Sequence, residues 1–332
     1  MAGPIRALVY AAGLGTRLAP LTDILPKPVL PIGGRPLVAW TLDRLAEFGC
    51  ERAVLNLHHL GHEVRRALGD EHRGMPLVYS EEPEILGTLG ALSAAREALT
   101  GAEQILLVNG DSLCHWPLEE LLAVHRERHA AATLLFADAA DPTHHGGGVP
   151  IDRTAGRVLF FPRATPNPPP EWSAAADRHA PPAVFAGLHV LQPELLDRAP
   201  HRFADTVLEL YGPLLAAGWE LAAVTTRQPW RDLGTPRDYL EGALAVASED
   251  VVVCPGAEVA ADAGLERCLV LPGARIGAGA RLTDVLVGFD VAVPAGARYA
   301  QRLLARLGGS RPAGAIERGG LLEVPLDPGG RL

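Results

Sequence analysis

One lysine stands in a chain that otherwise uses arginine. Of the 30 basic residues 29 are Arg, and the single Lys is Lys27. A position that keeps lysine against such a bias calls for a compact ammonium rather than a planar guanidinium, unless it is a surface remnant of no consequence. Lys27 is braced between Pro26 and Pro28 and lies ten residues after Arg17, which belongs to Gly13-Leu14-Gly15-Thr16-Arg17-Leu18. That glycine loop follows Ala12 at the end of an apolar run over residues 5–12. Bare glycine amides approach phosphate oxygens closely, and two cations beside such a cradle suit a triphosphate. A dinucleotide fingerprint would need glycine at position 18, where Leu18 stands, and no Walker lysine follows the loop; both motifs fail.

Two carboxylates have a comparable setting. Asp111, in Asn109-Gly-Asp, follows an apolar stretch, and Asp232, in Trp230-Arg-Asp-Leu-Gly-Thr-Pro, lies in the turn after another. Open α/β sheets bind ligands at their strand ends, and magnesium takes a few hard oxygen ligands, with water and phosphate as the rest. Either Asp alone is more commonly a turn or cap residue. Leu86-Gly87-Thr88 separates a strand-like from a helix-like stretch, which suits close approach to a base and ribose and equally suits a plain turn.

Taken together, Gly13-x-Gly-Thr-Arg-Leu-x-Pro-Leu-Thr and Pro26-Lys-Pro-x-x-Pro-x-x-Gly-x-Pro-Leu resemble the signature of the sugar-1-phosphate nucleotidylyltransferases. Leu86-Gly-Thr-Leu-Gly-Ala-Leu, Asn109-Gly-Asp and Trp230-Arg-Asp-Leu-Gly-Thr-Pro are similar to further segments of that family. The resemblance covers roughly residues 5–298. It implies transfer of a nucleotidyl group from a nucleoside triphosphate to a sugar 1-phosphate, with Mg²⁺ as cofactor. Carried over residue by residue, it implies catalytic roles for Arg17, Lys27, Asp111 and Asp232, the two Asp being the metal pair. Nucleotide contacts are implied for Ala12, Gly13, Leu14, Gly15, Thr16, Glu82, Gly87, Thr88 and Asn109. Sugar-phosphate contacts are implied for Gly187 and for Arg163, which stands where many members have lysine. Glu82 as an acceptor for guanine favours GTP and a mannose-1-phosphate guanylyltransferase. N-acetylmuramate-1-phosphate or glucose-1-phosphate uridylyl- or thymidylyltransferases remain open, the former because of His144-His145. A non-catalytic regulatory relative that binds nucleotide sugar is the reading from another class. The pairs His58-His59 and His144-His145 are weaker candidates for sugar contacts.

The elements that must position these residues alternate. Strand-like runs at 5–12, 53–57, 77–80, 105–109 and 133–137 are separated by helical patterns at 36–48, 63–68, 89–99 and 118–129. Such a rhythm predicts a Rossmann-like α/β domain with a mixed, mostly parallel sheet over residues 1–247. Further expected elements are strands at 157–161, 184–191 and 220–226, a helix at 205–217, and a closing helix that Pro236 starts. Residues 163–182 read as a proline-rich insertion without regular structure.

A different period follows. Val253, Val259, Leu265, Val270, Ile276, Leu282, Val287 and Val293 are spaced by five or six, and three steps sum to 17. Residues 250–298 therefore predict a short left-handed parallel β-helix of hexapeptide repeats. No histidine follows His201. A structural or homo-oligomer-forming role is expected there rather than acyl transfer. The tail, 299–332, is unassigned apart from one or two helical turns at 301–307.

The net charge is −9, from 39 acidic and 30 basic residues, which argues against a nucleic-acid or membrane-surface binder. Four cysteines without CxxC spacing argue against zinc ribbons and disulfide scaffolds. The start shows no cleavable signal pattern, and no apolar run approaches the ~20 residues of a membrane span. A cytoplasmic enzyme is the expectation.

Overall fold

The computed structural model describes residues 3–145, 147–170, 172–174 and 181–327. The chain divides into two compact units that do not follow chain order: residues 1–13 with 39–230, and residues 14–38 with 231–332.

The first unit is built on a ten-stranded sheet. Its order is Ile151–Asp152, Arg157–Val158, Leu221–Thr226, Ala132–Ala137, Val184–Leu191, Gln104–Asn109, Ile5–Tyr10, Arg52–Leu57, Met75–Glu81 and Glu71–His72. Ile5–Tyr10 runs parallel to both neighbours, whereas Val184–Leu191 is antiparallel to both of its own. The central strands are apolar on both faces because helices cover them; Leu8, Val54, Leu107 and Val108 are fully buried. From Ile5–Tyr10 the chain first builds outward through Arg52–Leu57 and Met75–Glu81. It then returns to place Gln104–Asn109 on the other side. The loops after Ile5–Tyr10 and Gln104–Asn109 thus leave from a topological switch point, the usual ligand crevice of such sheets.

Local patterns account for most element ends, with instructive departures. The helix expected over 89–99 is two pieces, Gly87–Ala94 and Arg96–Leu99. The strand expected over 157–161 is only Arg157–Val158. The helix expected over 205–217 opens as a π-turn, Val207–Tyr211, before Gly212–Ala216. In the insertion, Trp172 and Ser173 donate backbone hydrogen bonds to Pro169 in a short helical turn; residues 171 and 175–180 lie outside the described residues.

Two histidines are buried in this unit. Burial pushes His125 down to about 4 and His189 down to about 3. His125 Nδ1 lies 2.9 Å from Thr133 Oγ1, and His189 Nδ1 lies 2.5 Å from the Tyr211 hydroxyl. Both rings are neutral in the fold but protonate in the unfolded chain near the ordinary value of 6.5. Their contribution is complete above that value and is lost progressively as pH falls toward the folded values. Tm is therefore expected to drop between pH 7 and 5, and His125→Gln to make the drop shallower. A pH slope identical in wild type and variant would exclude this source.

The second unit contains a 17-residue register. The Cα partners Val251, Cys268, Val285 and Arg302 align strand upon parallel strand, as do Gly264, Arg281 and Arg298. A separate parallel sheet joins Glu258, Arg275 and Ala292. Corners recur at the same spacing: Arg267, Asp284 and Gln301 all have φ near +50°. Val270, Ile276, Leu282, Val287 and Val293 form the buried core of this stack. Residues 301–306 are not helical but belong to the strand Arg298–Arg306, because the register onto Val285–Val287 continues through them, and Leu307 begins the turn that follows. Leu321–Pro325 then pairs antiparallel with that strand, and Ile316–Arg318 with Leu321–Pro325, ending the stack. The helix Pro236–Ala247 starts with Pro236 as expected, under a capping box of Thr235 and Asp238. Its buried Tyr239 donates its hydroxyl to the Pro31 carbonyl at 2.5 Å, anchoring residues 14–38 within this unit.

Candidate active site

In the second unit the fold gathers two of the predicted cations around one predicted carboxylate. Lys27 Nζ lies 3.3 Å from Asp232 Oδ1, and Arg17 Nη2 lies 3.6 Å from Asp232 Oδ2. The two cations differ in setting: the Lys27 side chain is 7% exposed and that of Arg17 64%. Lys27 is thus buried, not a surface residue. Gly15 makes the tight path possible, with φ at +63° and a position where a Cβ would meet Thr22 Cγ2 at 2.8 Å and Lys27 Cβ at 3.4 Å. Thr22 Oγ1 in turn donates to the Gly15 carbonyl at 3.1 Å. Gly234 leaves room for a guanidinium, since a Cβ there would come within 2.6 Å of Arg17 Nη2.

Gly13 is different. It ends the first unit's opening segment, and a Cβ there would have nothing within 4 Å. No packing inside the protein demands glycine at this point; exposed backbone beside open space is what an anion cradle needs. Leu14 and Thr16 are also exposed, while Ala12 is buried.

In the first unit, a buried network sets the other loops. Asn56, 4% exposed, accepts from the Ala11 amide at 2.8 Å and donates to Glu82 Oε1 at 2.9 Å. The second Glu82 oxygen accepts from the Leu86 amide at 2.9 Å, and His58 Nδ1 donates to the Glu82 carbonyl at 2.8 Å. Glu82, itself 3% exposed, therefore ties the loop over 82–86 to the loop over 11–13. Gly87 and Gly90 admit the backbone of residues 202–204: Cβ atoms there would meet the Ala204 and Arg202 carbonyls at 2.6 and 2.2 Å. Leu89 N and Ala204 N complete that pairing with hydrogen bonds of 2.9 Å to Ala204 O and Leu86 O. Thr88 Oγ1 accepts from both the amide and the hydroxyl of Thr206, and its carbonyl accepts from Tyr10.

Asn109 and Asp111 leave the strand Gln104–Asn109, and Asp111 is half-buried. Gly187 sits at an irregularity of its strand with φ at +78°; a Cβ would strike the Asn109 side chain at 2.8–2.9 Å. The two positions named for nucleotide and sugar phosphate are thus neighbours. Arg163 places an exposed guanidinium 3.5 Å from Asp205, which caps the following turns by accepting from Val207 N and Leu208 N. Of the weaker candidates, His145 packs edge-on against Trp230 with centroids 4.8 Å apart, and the His144 side chain lies outside the described residues. Among the described residues no group of three His, Cys, Asp or Glu gathers as a metal cage. No helix among them is long and apolar enough to cross a membrane.

The model of the family described as nucleotidyl transferase matches residues 6–249, nearly three-quarters of the chain. The chain belongs to the nucleotidyl transferase family. Among curated relatives, a mannose-1-phosphate guanylyltransferase catalytic subunit beta of Drosophila pseudoobscura pseudoobscura is 28% identical over 240 residues, covering 71% of this chain and 61% of the relative. A mannose-1-phosphate guanyltransferase of Candida albicans is 29% identical over 241 residues, covering 72% and 63%. The chain thus spans about three-fifths of the length of the curated relatives it matches. In fold it is similar to HddC from Yersinia pseudotuberculosis complexed with GMP-PN, with a TM-score of 0.58, 20% identity and coverage of 72% of this chain and 98% of that one. A putative glucose-1-phosphate thymidylyltransferase from Bacillus anthracis gives a TM-score of 0.58 at 16% identity, covering 73% and 95%.

Proposed function

We propose that this chain joins a nucleoside triphosphate to a sugar 1-phosphate, giving an NDP-sugar and pyrophosphate, with GTP and mannose 1-phosphate as the preferred pair. The observation that carries the reading is the Lys27–Asp232–Arg17 cluster, with Lys27 against the bend at Gly15 of the glycine loop. The relatives' names support the choice of mannose and guanine. Glu82 does not add to it, because its oxygens are engaged by Asn56 and the Leu86 amide.

The reaction needs alignment and charge neutralisation rather than a protein nucleophile. A sugar-phosphate oxygen bonds to the α-phosphorus while the bond to the β-bridging oxygen breaks, and the electron pair leaves with pyrophosphate. Arg17, exposed and only loosely held at 3.6 Å, is free to turn its fork onto phosphate oxygens. Lys27, buried, holds a fixed point charge and steadies Asp232. The backbone over 13–16 supplies N–H donors, and Arg163 an exposed guanidinium for the sugar phosphate. Asp111 and Asp232 suit magnesium in type, since that ion takes one or two carboxylates and leaves its other positions to phosphates and water. When bound, the cation withdraws charge from the phosphates under attack.

The 17-residue register, its two parallel sheets and its recurrent corners support reading residues 250–298 as the left-handed hexapeptide β-helix, with a structural or oligomer-forming role. The test of function is pyrophosphate release from four or five triphosphates crossed with common sugar 1-phosphates in Mg²⁺. Turnover is expected for at least one pair, GTP with mannose 1-phosphate foremost. Silence across the whole grid would favour a regulatory nucleotide-sugar-binding protein.

A further inference from the structure

We infer that Asp23 and Ser310 form a clasp by which the C-terminal stack positions the phosphate-binding loop; the inference rests on the proposed function for its kinetic consequence. Asp23 Oδ2 accepts from the Ser310 amide at 2.6 Å, and Oδ1 accepts from the Ser310 hydroxyl at 2.9 Å, across 287 residues of sequence. The approach is close by design of the neighbouring residues. A Cβ on Gly309 would meet Asp23 Oδ2 at 2.8 Å and Pro20 Cβ at 3.1 Å, and one on Gly288 would meet Leu21 Cδ2 at 3.3 Å. Leu21 is fully buried, while Asp23 reaches outward from the same short 3₁₀ turn, Leu21–Asp23.

That turn has two working sides. Thr22, between Leu21 and Asp23, bonds the Gly15 carbonyl and fills the space beside Gly15, which also borders Lys27. A pull on Asp23 is therefore delivered through one residue to the loop carrying Arg17 and through three to Lys27. A cavity of about 270 Å³ lies between Pro20–Ile24 and residues 288–289 and 305–309, so packing alone leaves the turn room to shift. Misplacing a catalytic group by 1 Å costs on the order of 100-fold in rate. A pair of surface hydrogen bonds thereby acquires kinetic weight out of proportion to its stability. Asp23 and Ser310 are positioning residues: they touch no substrate.

The test compares Asp23→Ala, which removes both acceptors, with Asp23→Asn, whose amide keeps an acceptor for the Ser310 amide and offers a donor to its hydroxyl. Asp23→Ala is expected to lower kcat about five- to ten-fold with KM for the sugar phosphate within two-fold, and Asp23→Asn to restore at least half of wild-type kcat. Hydrogen exchange without any substrate is expected to quicken over residues 15–30 in Asp23→Ala and in Ser310→Gly, and not in Asp23→Asn. This second readout holds even if wild type turns over none of the pairs tested, which separates failure of the clasp from failure of the functional reading. Wild-type exchange in Asp23→Ala, or equal damage from Asn and Ala, would overturn the clasp.

Discussion

Asp232→Asn is expected to lower kcat/KM by two orders of magnitude or more, about 2.7 kcal/mol of transition-state stabilisation, and to lower Tm as well. Two losses coincide. The Asn side chain removes the charge that would hold a divalent cation, and it leaves the ammonium of Lys27 without its carboxylate at 3.3 Å. A buried ion pair broken on one side costs several kcal/mol when both partners are dry. Because the Asp232 side chain is 25% exposed, about 1–3 kcal/mol is the expected stability loss. Asp111→Asn is the contrast. Asp111 leaves a strand of the other compact unit and is half-buried, so its loss should fall on kcat, ten-fold or more, with Tm nearly unchanged. Steady-state pyrophosphate release over a range of Mg²⁺, with thermal melts of both variants, reads the difference. Full activity of Asp232→Asn at saturating Mg²⁺ would remove this residue from the reaction.

The parts that sequence made legible are those with a local cause. The apolar runs and their glycine or proline stops located the strands at 5–12, 53–57, 105–109 and 133–137 to within a few residues, and Pro236 announced the start of the closing helix. The 17-residue periodicity located the parallel register down to the residue pair, Cys268 on Val285. What escaped has non-local causes. Residues 301–307 have a helical composition, yet a strand already stacked beneath them decides their state. That residues 14–38 join residues 231–332 in one unit depends on Tyr239, Leu21 and Asp23 meeting partners over 200 residues away.

The same distinction divides the site. Lys27 was readable as the one lysine of an arginine-rich chain and Arg17 as the cation of the glycine loop, whereas Asp232 was implied by the resemblance; the fold brings the three together. Glu82, Gly87 and Thr88 were readable as a loop but not as to role. Glu82 is an internal anchor, and the two glycines at 87 and 90 make way for residues 202–204. Asn56, Asp205 and Thr206 were missed. Asn56 did leave a signal, as a polar residue inside an apolar strand and one of three asparagines in the chain. A buried amide in such a place must be hydrogen-bonded, and its partners here are the loops that follow Ile5–Tyr10 and Met75–Glu81. Asp205 and Thr206 left none, since Ala-Asp-Thr reads as an ordinary helix start.

Lys27→Arg is the substitution this arginine-rich chain would tolerate anywhere that a cation alone were needed. At a surface position its cost would fall on activity alone, since surface substitutions usually stay within about 0.5 kcal/mol. The structure changes that expectation. Lys27 is 6% exposed, flanked by two prolines, and its stem lies against the bend at Gly15. A guanidinium is wider, and its planar donors cannot contract onto a carboxylate set for an ammonium. Forcing extra volume into a packed site costs about 1–3 kcal/mol, and Pro26 and Pro28 restrict the backbone that would absorb it. Lys27→Arg is therefore expected to lower Tm by several degrees and kcat/KM by roughly ten-fold or more, at least about 1.4 kcal/mol. Lys27→Met separates the two effects, because it keeps the straight stem and removes the charge. It should melt closer to wild type than Lys27→Arg if volume dominates stability, yet lose more activity, since the more exposed Arg17 is then the cation left facing Asp232. Thermal melts and steady-state kinetics of the pair decide the matter. Wild-type kinetics in Lys27→Arg would mean that the ammonium has no special task and that the cluster is not where the phosphates bind.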